Sequence, residues 1–289
     1  MKRKEKSAKT RKVVVNTLVH VLLTLLAVIW LFPIFWVILT SLRAEPGSYT
    51  NTFFPKGYTF ANYVKLFTDT GILNFPQMFK NTFIIAIFSC LISSFMVLCV
   101  SYCMSRLRFR FRKKFMNLAM ILTLFPGFMS MAATYYILKA LGLSEGAMIR
   151  VALVMVYSGG AGLGFYVAKG FFDTIPRALD EAAFLDGATK WQVFTRITIP
   201  LSKPILVYTV LTSFMAPWTD FIFAKVICRA ESQYYTVAIG LWKMLEKEYI
   251  NQWYTSFAAG AVCISIPIAI VFLLTQRFYA DGMSGAVKG

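Results

Sequence analysis

Six long apolar segments limit what this chain can fold into more than any other feature of its sequence. Each has about 20 residues or more, the length that an α-helix needs to cross the hydrocarbon core of a bilayer. A soluble core could not absorb them, because 58% of the residues are hydrophobic and only 15% are charged. We therefore predict an all-α membrane protein with six transmembrane helices, at about residues 13–39, 81–104, 115–138, 149–170, 204–227 and 256–278.

Basic residues predict how these helices are oriented. The net charge is +17 at pH 7, and lysines and arginines concentrate in residues 2–12 and 106–114. Basic clusters beside alternate spans are typical of the cytoplasmic side of a membrane, so nucleic-acid binding is the weaker interpretation of this charge. We expect a basic cytoplasmic N-terminus at 1–12, a six-span domain at 13–278 and a cytoplasmic tail at 279–289.

The sequence carries none of the patterns that would indicate an enzyme or a metal protein. It lacks Gly-x-x-x-x-Gly-Lys-Ser/Thr, which cradles nucleotide phosphates, and it lacks a nucleophile elbow or paired carboxylates. The five cysteines are odd in number and have no metal-ligand spacing. We therefore predict no catalytic residue, no metal site and no cofactor bound by this chain.

A polar stretch at residues 176–204 interrupts the apolar pattern. Pro176 suits the first turn of a helix, and Gly187 suits a C-terminal turn because glycine can adopt a positive φ. A second short helix is expected after Gly187 and should end near Pro200. Both helices are too short to span a bilayer. The stretch therefore predicts a bent helix pair outside the membrane, with small residues such as Ala182 available to a partner.

Within this stretch, Glu181-Ala182-Ala183, Gly187 and Ile199-Pro200 resemble the EAA motif of the permeases of ABC importers. That motif reads Glu-Ala-Ala, three variable residues, Gly, then a spacer and Ile-x-Leu-Pro. This chain departs from it at Ile199, where the family has leucine, and the side chain stays apolar. An ordinary amphipathic hairpin is the alternative interpretation. The glycine, the Ile-x-Ile-Pro run and the preceding Ile-Pro pair together favour the family.

The resemblance covers nearly the whole chain and is greatest to maltose/maltodextrin permeases of the MalG type, in the carbohydrate-uptake branch. It implies the fold of a type I ABC importer permease in the cytoplasmic membrane of a prokaryote, surrounded by lipid and paired with a second, MalF-like permease subunit. It also implies two ATPase subunits, which hold ATP and Mg, and an extracytoplasmic sugar-binding protein. The residues implied to couple to the ATPase lie in a loop at about 171–203 and in the C-terminal tail, namely Glu181, Ala182, Ala183, Gly187, Ile199, Pro200, Gly285, Lys288 and Gly289.

Two places in the spans could line a pathway for a transported molecule. Pro126-Gly127 interrupts the third span, as either a pathway or a simple kink would. Asp220 lies near the outer end of the fifth span together with Lys225, where it either faces a wet cavity or is simply solvated. Asp220 is therefore our candidate for a substrate pathway.

The cargo and the energy source each leave an alternative open. The resemblance implies import of maltose or maltodextrin, and a galacto-oligosaccharide or a raffinose-type sugar fits the same residues. A secondary transporter would be expected to carry internal repeats and ionisable groups near mid-membrane. The sequence has no convincing repeat and few charges at that depth. The expectation is thus a non-enzymatic permease subunit of an ABC importer for an oligosaccharide.

Overall fold

The computed structural model describes residues 2–48, 52–124, 127–161 and 164–286, with side chains described in 12–48, 52–124, 127–160 and 164–278. This part of the chain is almost entirely helical, with an isolated antiparallel bridge between Arg43 and Tyr58. A π-helical turn covers Phe194–Thr198, and a 3₁₀ turn covers Ser232–Tyr234. The α-helices are α1 Lys2–Ser41, α2 Ala61–Thr68, α3 Phe75–Arg106, α4 Arg112–Leu124, α5 Gly127–Ala140, α6 Met148–Ala161, α7 Phe165–Thr174, α8 Arg177–Leu185, α9 Lys190–Val193, α10 Ile199–Leu201, α11 Lys203–Thr219, α12 Ile222–Cys228, α13 Val237–Met244 and α14 Ile250–Ala286.

Three of these helices are long and apolar enough to cross a membrane on their own, namely α1 from Lys12, α3, and α14 as far as Phe278. Three pairs of shorter helices pass the same test together, and each pair is bent by more than 40° at a short break. The pairs are α4 with α5, α6 with α7, and the α9–α10 segment with α11. The described residues thus support three spans, or six if each bent pair is one span. The predicted all-α membrane class is confirmed.

Local capping moves the start of α3 away from the predicted position at residue 81. Asn74 caps the helix through its side-chain oxygen, which accepts a hydrogen bond from the backbone N–H of Gln77 at 3.1 Å. Pro76 occupies the first turn, where the missing N–H costs nothing. The helix therefore begins at Phe75, six residues before the apolar run that hydropathy detects.

Two other boundaries also differ from the prediction. The fifth predicted span, 204–227, is broken at Asp220, where the backbone is extended between α11 and α12. The last helix begins at Ile250 and continues to Ala286, so helical backbone extends into the segment predicted as a tail. Pro126, predicted to interrupt the third span, lies outside the described residues, and α5 begins at the following residue.

The chain divides into two compact units, of which the first comprises Met1–Leu66 and Met244–Val262. A polar network holds this unit together at the end of α1. The Arg43 side chain is buried, with 1% of the residue exposed, and its Nη2 donates to the carbonyl of Phe53 at 2.8 Å. The Asn62 amide donates to the carbonyl of Arg43 at 2.8 Å and accepts a bond from the Thr255 hydroxyl at 2.8 Å. These bonds connect α1, α2 and the start of α14.

Most of the apolar side chains of α1 are exposed. None of the segment that qualifies α1 as a membrane span is buried, and Trp30 is 76% exposed. In a bilayer such a surface is covered by lipid or by a neighbouring helix.

The second unit comprises Phe67–Lys243 and Cys263–Gly289 and is built around α3, against which α6, α7 and α11 pack. Trp218 near the end of α11 is 1% exposed, and its ring centroid lies 5.2 Å from that of Phe79. Towards the C-terminal end of α3, Tyr102, Phe172 and Phe194 belong to one buried apolar cluster. This cluster places the polar stretch found in the sequence beside the last turns of α3.

Candidate functional site

The polar stretch folds into two helical arms joined by a tight turn, which we call the EAA hairpin (residues 176–204). At the turn, Gly187 adopts φ 82°. Its N–H donates to the carbonyl of Phe184 at 3.1 Å, and the N–H of Ala188 donates to the carbonyl of Ala183 at 2.9 Å. This pair of bonds is the Schellman motif, which ends a helix and reverses the chain. The glycine turn predicted from the sequence is therefore present.

The second arm starts with a capping box and contains a widened turn. The Thr189 hydroxyl accepts from the N–H of Gln192 at 3.3 Å, and the Gln192 side chain accepts from the N–H of Thr189 at 2.7 Å. Further on, Pro200 has no N–H to give to the carbonyl four residues before it. The residue before it, Ile199, donates its N–H to the carbonyl of Phe194, five residues back, and this bond makes the turn a π turn. The arm then meets α11 at an angle of 81°.

Two adjacent carboxylates in α8 have opposite surroundings. Glu181, the first residue of the motif, is exposed, whereas Asp180 is 7% exposed. The Oδ2 of Asp180 lies 3.1 Å from the Nε of Arg106, and the two side chains are 10% and 5% exposed. The Nη2 of Arg106 also donates to the carbonyl of Ile175 at 2.9 Å. Asp180 therefore fixes the hairpin to its own chain, and Glu181 is left facing outward.

The last turns of α3 also contact the second arm of the hairpin and both ends of α7. Their side chains donate hydrogen bonds to backbone carbonyls or to a carboxylate in these segments. The bonds run from Ser101 Oγ to the carbonyl of Phe165 at 3.0 Å, from Tyr102 Oη to the carbonyl of Lys190 at 3.2 Å, and from Ser105 Oγ to Asp173 Oδ1 at 2.6 Å.

Sequence reasoning missed this role of Arg106 because the residue opens the basic cluster at 106–114 and was counted with it. The other arginines of that cluster follow the helix, whereas Arg106 is the last residue of α3 itself. An arginine that ends an apolar helix, together with an aspartate directly before the motif glutamate, was the available signal. Only the fold brings the two side chains together across 74 positions.

An apolar face of the hairpin points away from the chain. Ala178, Ala182 and Leu185, which recur at helical spacing, are all exposed, and Leu185 is 89% exposed. On the second arm, Trp191 is 62% exposed. Within the motif, Ala183 and Ile199 are half-buried and Pro200 is exposed. The predicted small-residue face therefore exists and is uncovered in this chain.

A cavity of about 800 Å³ lies between α5, α6, α11 and α12. Its lining is largely apolar and includes aromatic rings and a few hydroxyl groups. The residues that matter for polar recognition are Ser130, Thr134, Tyr157, Thr212, Ser213 and Asp220. A mainly apolar cavity with a few convergent polar groups is the usual form of a small-molecule site.

Asp220 lines this cavity and is hydrogen-bonded within it. Its Oδ2 accepts from the Tyr157 hydroxyl at 2.8 Å, and its Oδ1 accepts from the N–H of Phe223, in the first turn of α12, at 3.1 Å. Lys225, five residues further along the chain, donates to the hydroxyl of Tyr235 at 3.0 Å. Asp220 is half-buried at the cavity wall and remains our candidate for a substrate pathway.

The remaining predicted residues lie at the C-terminus. Gly285 is in the last turn of α14, whereas Lys288 and Gly289 lie outside the described residues. Among the residues that the structure describes, no group of three or more His, Cys, Asp or Glu side chains could hold a metal ion.

Comparison with known sequences gives matches along most of the chain. The sequence model of a family described as binding-protein-dependent transport system inner membrane component matches residues 54–284. The chain is 32% identical over 272 residues to the galactooligosaccharides transport system permease protein GanQ of Bacillus subtilis, covering 93% of this chain and 94% of that protein. It is 29% identical over 284 residues to the maltodextrin transport system permease protein MdxG of Bacillus subtilis, covering 98% and 100%.

Further similarity extends to an enterobacterial protein and to a solved structure. The maltose/maltodextrin transport system permease protein MalG of Yersinia pestis is 32% identical over 286 residues, covering 93% of this chain and 92% of that protein. A crystal structure of a bacterial ABC transporter involved in the import of the polysaccharide alginate superposes with a TM-score of 0.72 at 23% identity. That match covers 92% of this chain and 96% of the other and supports the same fold.

Proposed function

We propose that this chain, which belongs to the family of binding-protein-dependent transport system inner membrane components, imports an oligosaccharide. The ATP for this import is hydrolysed by partner subunits. As a member of that family it is an integral membrane permease of an ABC transporter. Maltodextrin is the proposed cargo, and a galacto-oligosaccharide is the second candidate. Both are kept because relatives named for each sugar are about equally similar to this chain. The chain contributes a pathway and a coupling surface, and the ATP and Mg are held by two separate ATPase subunits.

The observation that carries the coupling role is the outward apolar face of the EAA hairpin on a firmly anchored turn. Ala182 permits close approach of another backbone, and Leu185 offers a large side chain for a groove. Exposed Glu181 is suited to a charge-assisted bond with a basic group at the rim of that groove. ATP binding can move the hairpin only if the ATPase dimer holds it differently in its open and closed states. The C-terminal residues Gly285, Lys288 and Gly289 are proposed to make a second contact with the same ATPase pair.

The cavity at Asp220 is the proposed sugar pathway of this subunit. Aromatic rings such as Tyr157 match the apolar faces of sugars, and a carboxylate accepts hydrogen bonds from hydroxyl groups. A second permease subunit of the MalF type would complete the pathway, and an extracytoplasmic sugar-binding protein would deliver the cargo. One solved alginate transporter, similar in fold at a TM-score of 0.64, was crystallised with a periplasmic protein carrying an alginate pentasaccharide.

We expect Asp220→Ala to lower the uptake rate at saturating binding protein by about tenfold, since a lost hydrogen bond to a charged group is worth about 1.5–3 kcal/mol. Tyr157→Phe should lower it by only about threefold, because it keeps the ring and removes one hydroxyl. Uptake of labelled sugar in vesicles measures both effects. Thr219→Ala, in a residue of α11 outside the cavity lining, is the control. Equal rates for all four proteins would rule out the Asp220 pathway.

The function as a whole is tested by uptake into vesicles that contain the reconstituted complex. Labelled maltotriose and a labelled galacto-oligosaccharide are supplied separately, each with its own binding protein, with and without ATP inside. Uptake that requires ATP identifies an ABC importer, and the transported sugar identifies the cargo. Uptake that continues without ATP or without the ATPase would indicate a secondary transporter and would refute the proposal.

A further inference from the structure

One face of α3 contacts three separate segments of the chain at its C-terminal end. Tyr102, Ser105 and Arg106 recur at i, i+3 and i+4, so they share this face. Tyr102 reaches the second arm of the EAA hairpin, and Ser105 reaches the end of α7. Arg106 alone, among these three, contacts two segments at once, because it binds the carbonyl of Ile175 after α7 and the carboxylate of Asp180 in α8.

We infer that Arg106 is a positioning residue that transmits movement of the EAA hairpin to the membrane helices α3 and α7. The inference rests on the proposed function, since it assumes that an ATPase moves the hairpin. α8 follows α7 after only two residues, Ile175 and Pro176, and the Arg106 contacts add a side-chain link from the end of α3 to both sides of this connection. With them, α8, the end of α7 and the end of α3 form one rigid junction.

The chemistry of arginine explains why this residue type suits the junction. A guanidinium is a planar fork with several donors in fixed directions, so it holds two acceptors in one geometry. Here Nη2 donates to the carbonyl at 2.9 Å, and Nε lies 3.1 Å from the Asp180 carboxylate as an ion pair without an aligned hydrogen bond. A lysine ammonium would keep the charge but would have to reach both acceptors from a single nitrogen. The position also suits a cation, because the C-terminal end of a helix carries partial negative charge.

Burial makes the pair sensitive to the loss of either member. The side chains are 5% and 10% exposed, so removal of one charge leaves the other without compensation in a place of low water content. A purely stabilising pair would alter how much complex is assembled. A transmitting pair would in addition alter how much sugar is carried for each ATP hydrolysed, and this ratio separates the two roles.

The test measures sugar uptake and ATP hydrolysis in vesicles that contain equal amounts of the assembled transporter. Arg106→Gln and Asp180→Asn remove one charge each with little change in size, and Arg106→Lys keeps the charge without the fork. The matched control is Arg108→Gln, because Arg108 is exposed and belongs to the same basic cluster. We expect the charge-removing variants to carry about tenfold less sugar per ATP, Arg106→Lys to be intermediate, and Arg108→Gln to be normal.

Each result has a distinct meaning. Absence of ATP-driven uptake in the wild type would refute the proposed function itself. Normal wild-type coupling with the same sugar-to-ATP ratio in Arg106→Gln, Asp180→Asn and Arg108→Gln would overturn the inference alone. If the variants assemble poorly but the residual complex keeps the normal ratio, Arg106 only stabilises the fold, and the inference is again overturned.

Discussion

Gly187→Val is expected to lower ATP-driven uptake by about tenfold or more while the protein still inserts into the membrane. The turn requires φ 82° at this position, and an L-residue pays about 1–2 kcal/mol to adopt the left-handed region, more if it is β-branched. A Cβ at Gly187 would meet nothing within 4 Å, so the effect comes from backbone conformation and not from a clash. The strained turn would displace the second arm and its outward face, and we expect uptake to fall by about tenfold or more.

The comparison that tests this explanation uses two further variants. Gly187→Asn should retain most of the uptake, because asparagine tolerates the left-handed region better than other residues. Gly146→Val is the matched control, since Gly146 has φ 56° and an equally open surrounding but lies outside the EAA hairpin. Sugar uptake and the amount of permease in the membrane are measured in the same vesicles. If Gly187→Val transports normally, or if Gly146→Val fails to the same degree, the hairpin turn has no special role in coupling.

Leu185→Asp is expected to release the ATPase subunits from the complex. Leu185 is 89% exposed in this chain, so the substitution should leave the fold intact. Burial of a leucine in a partner is worth about 1.5–3 kcal/mol, and an aspartate would place an unpaired charge in the same groove. The affinity for the ATPase should therefore fall by about a hundredfold, which makes this the largest effect we expect from a surface substitution.

Co-purification of the ATPase with the permease measures this effect directly. Leu185→Met is the control, because it conserves volume and apolar character and should bind the ATPase almost normally. An aspartate variant that retains the ATPase and transports sugar would show that the ATPase does not dock on this face. Loss of the permease itself from the membrane would be seen in the same preparation, and it would contradict the view that Leu185 is dispensable for folding.

Local sequence signals were sufficient to predict the EAA hairpin. Its turn depends on the positive φ of Gly187, and its entry depends on Pro176, which was expected in the first turn and is the N-cap of α8, one residue earlier, with φ −58° and ψ 130°. Both are properties of single residues and their immediate neighbours, so spacing along the chain reveals them. The all-α membrane class was predictable for a similar reason, because apolar runs of sufficient length have few alternatives.

The long-range contacts of the hairpin and of the cavity could not be predicted in this way. Arg106 and Asp180 meet across 74 positions, and Tyr157 and Asp220 meet across 63. Each of these residues also has a plausible local interpretation, as part of a basic cluster or as a solvated charge near a helix end. A hydropathy profile does not contain information about such distant partners. It also does not detect helix caps, so the predicted span begins later than α3, which starts at Phe75.

The EAA hairpin is specified largely from within, since its Schellman turn at Gly187 and its capping box at Thr189 use neighbouring residues as partners. Its outward side chains take no part in these bonds. The outward surface can therefore be substituted without altering the turn. A hairpin transplanted from another permease would in addition need an acid opposite Arg106 of the host. On the proposed function, compatibility with the ATPase and compatibility with the host helix α3 are therefore separate requirements, one carried by each side of the hairpin.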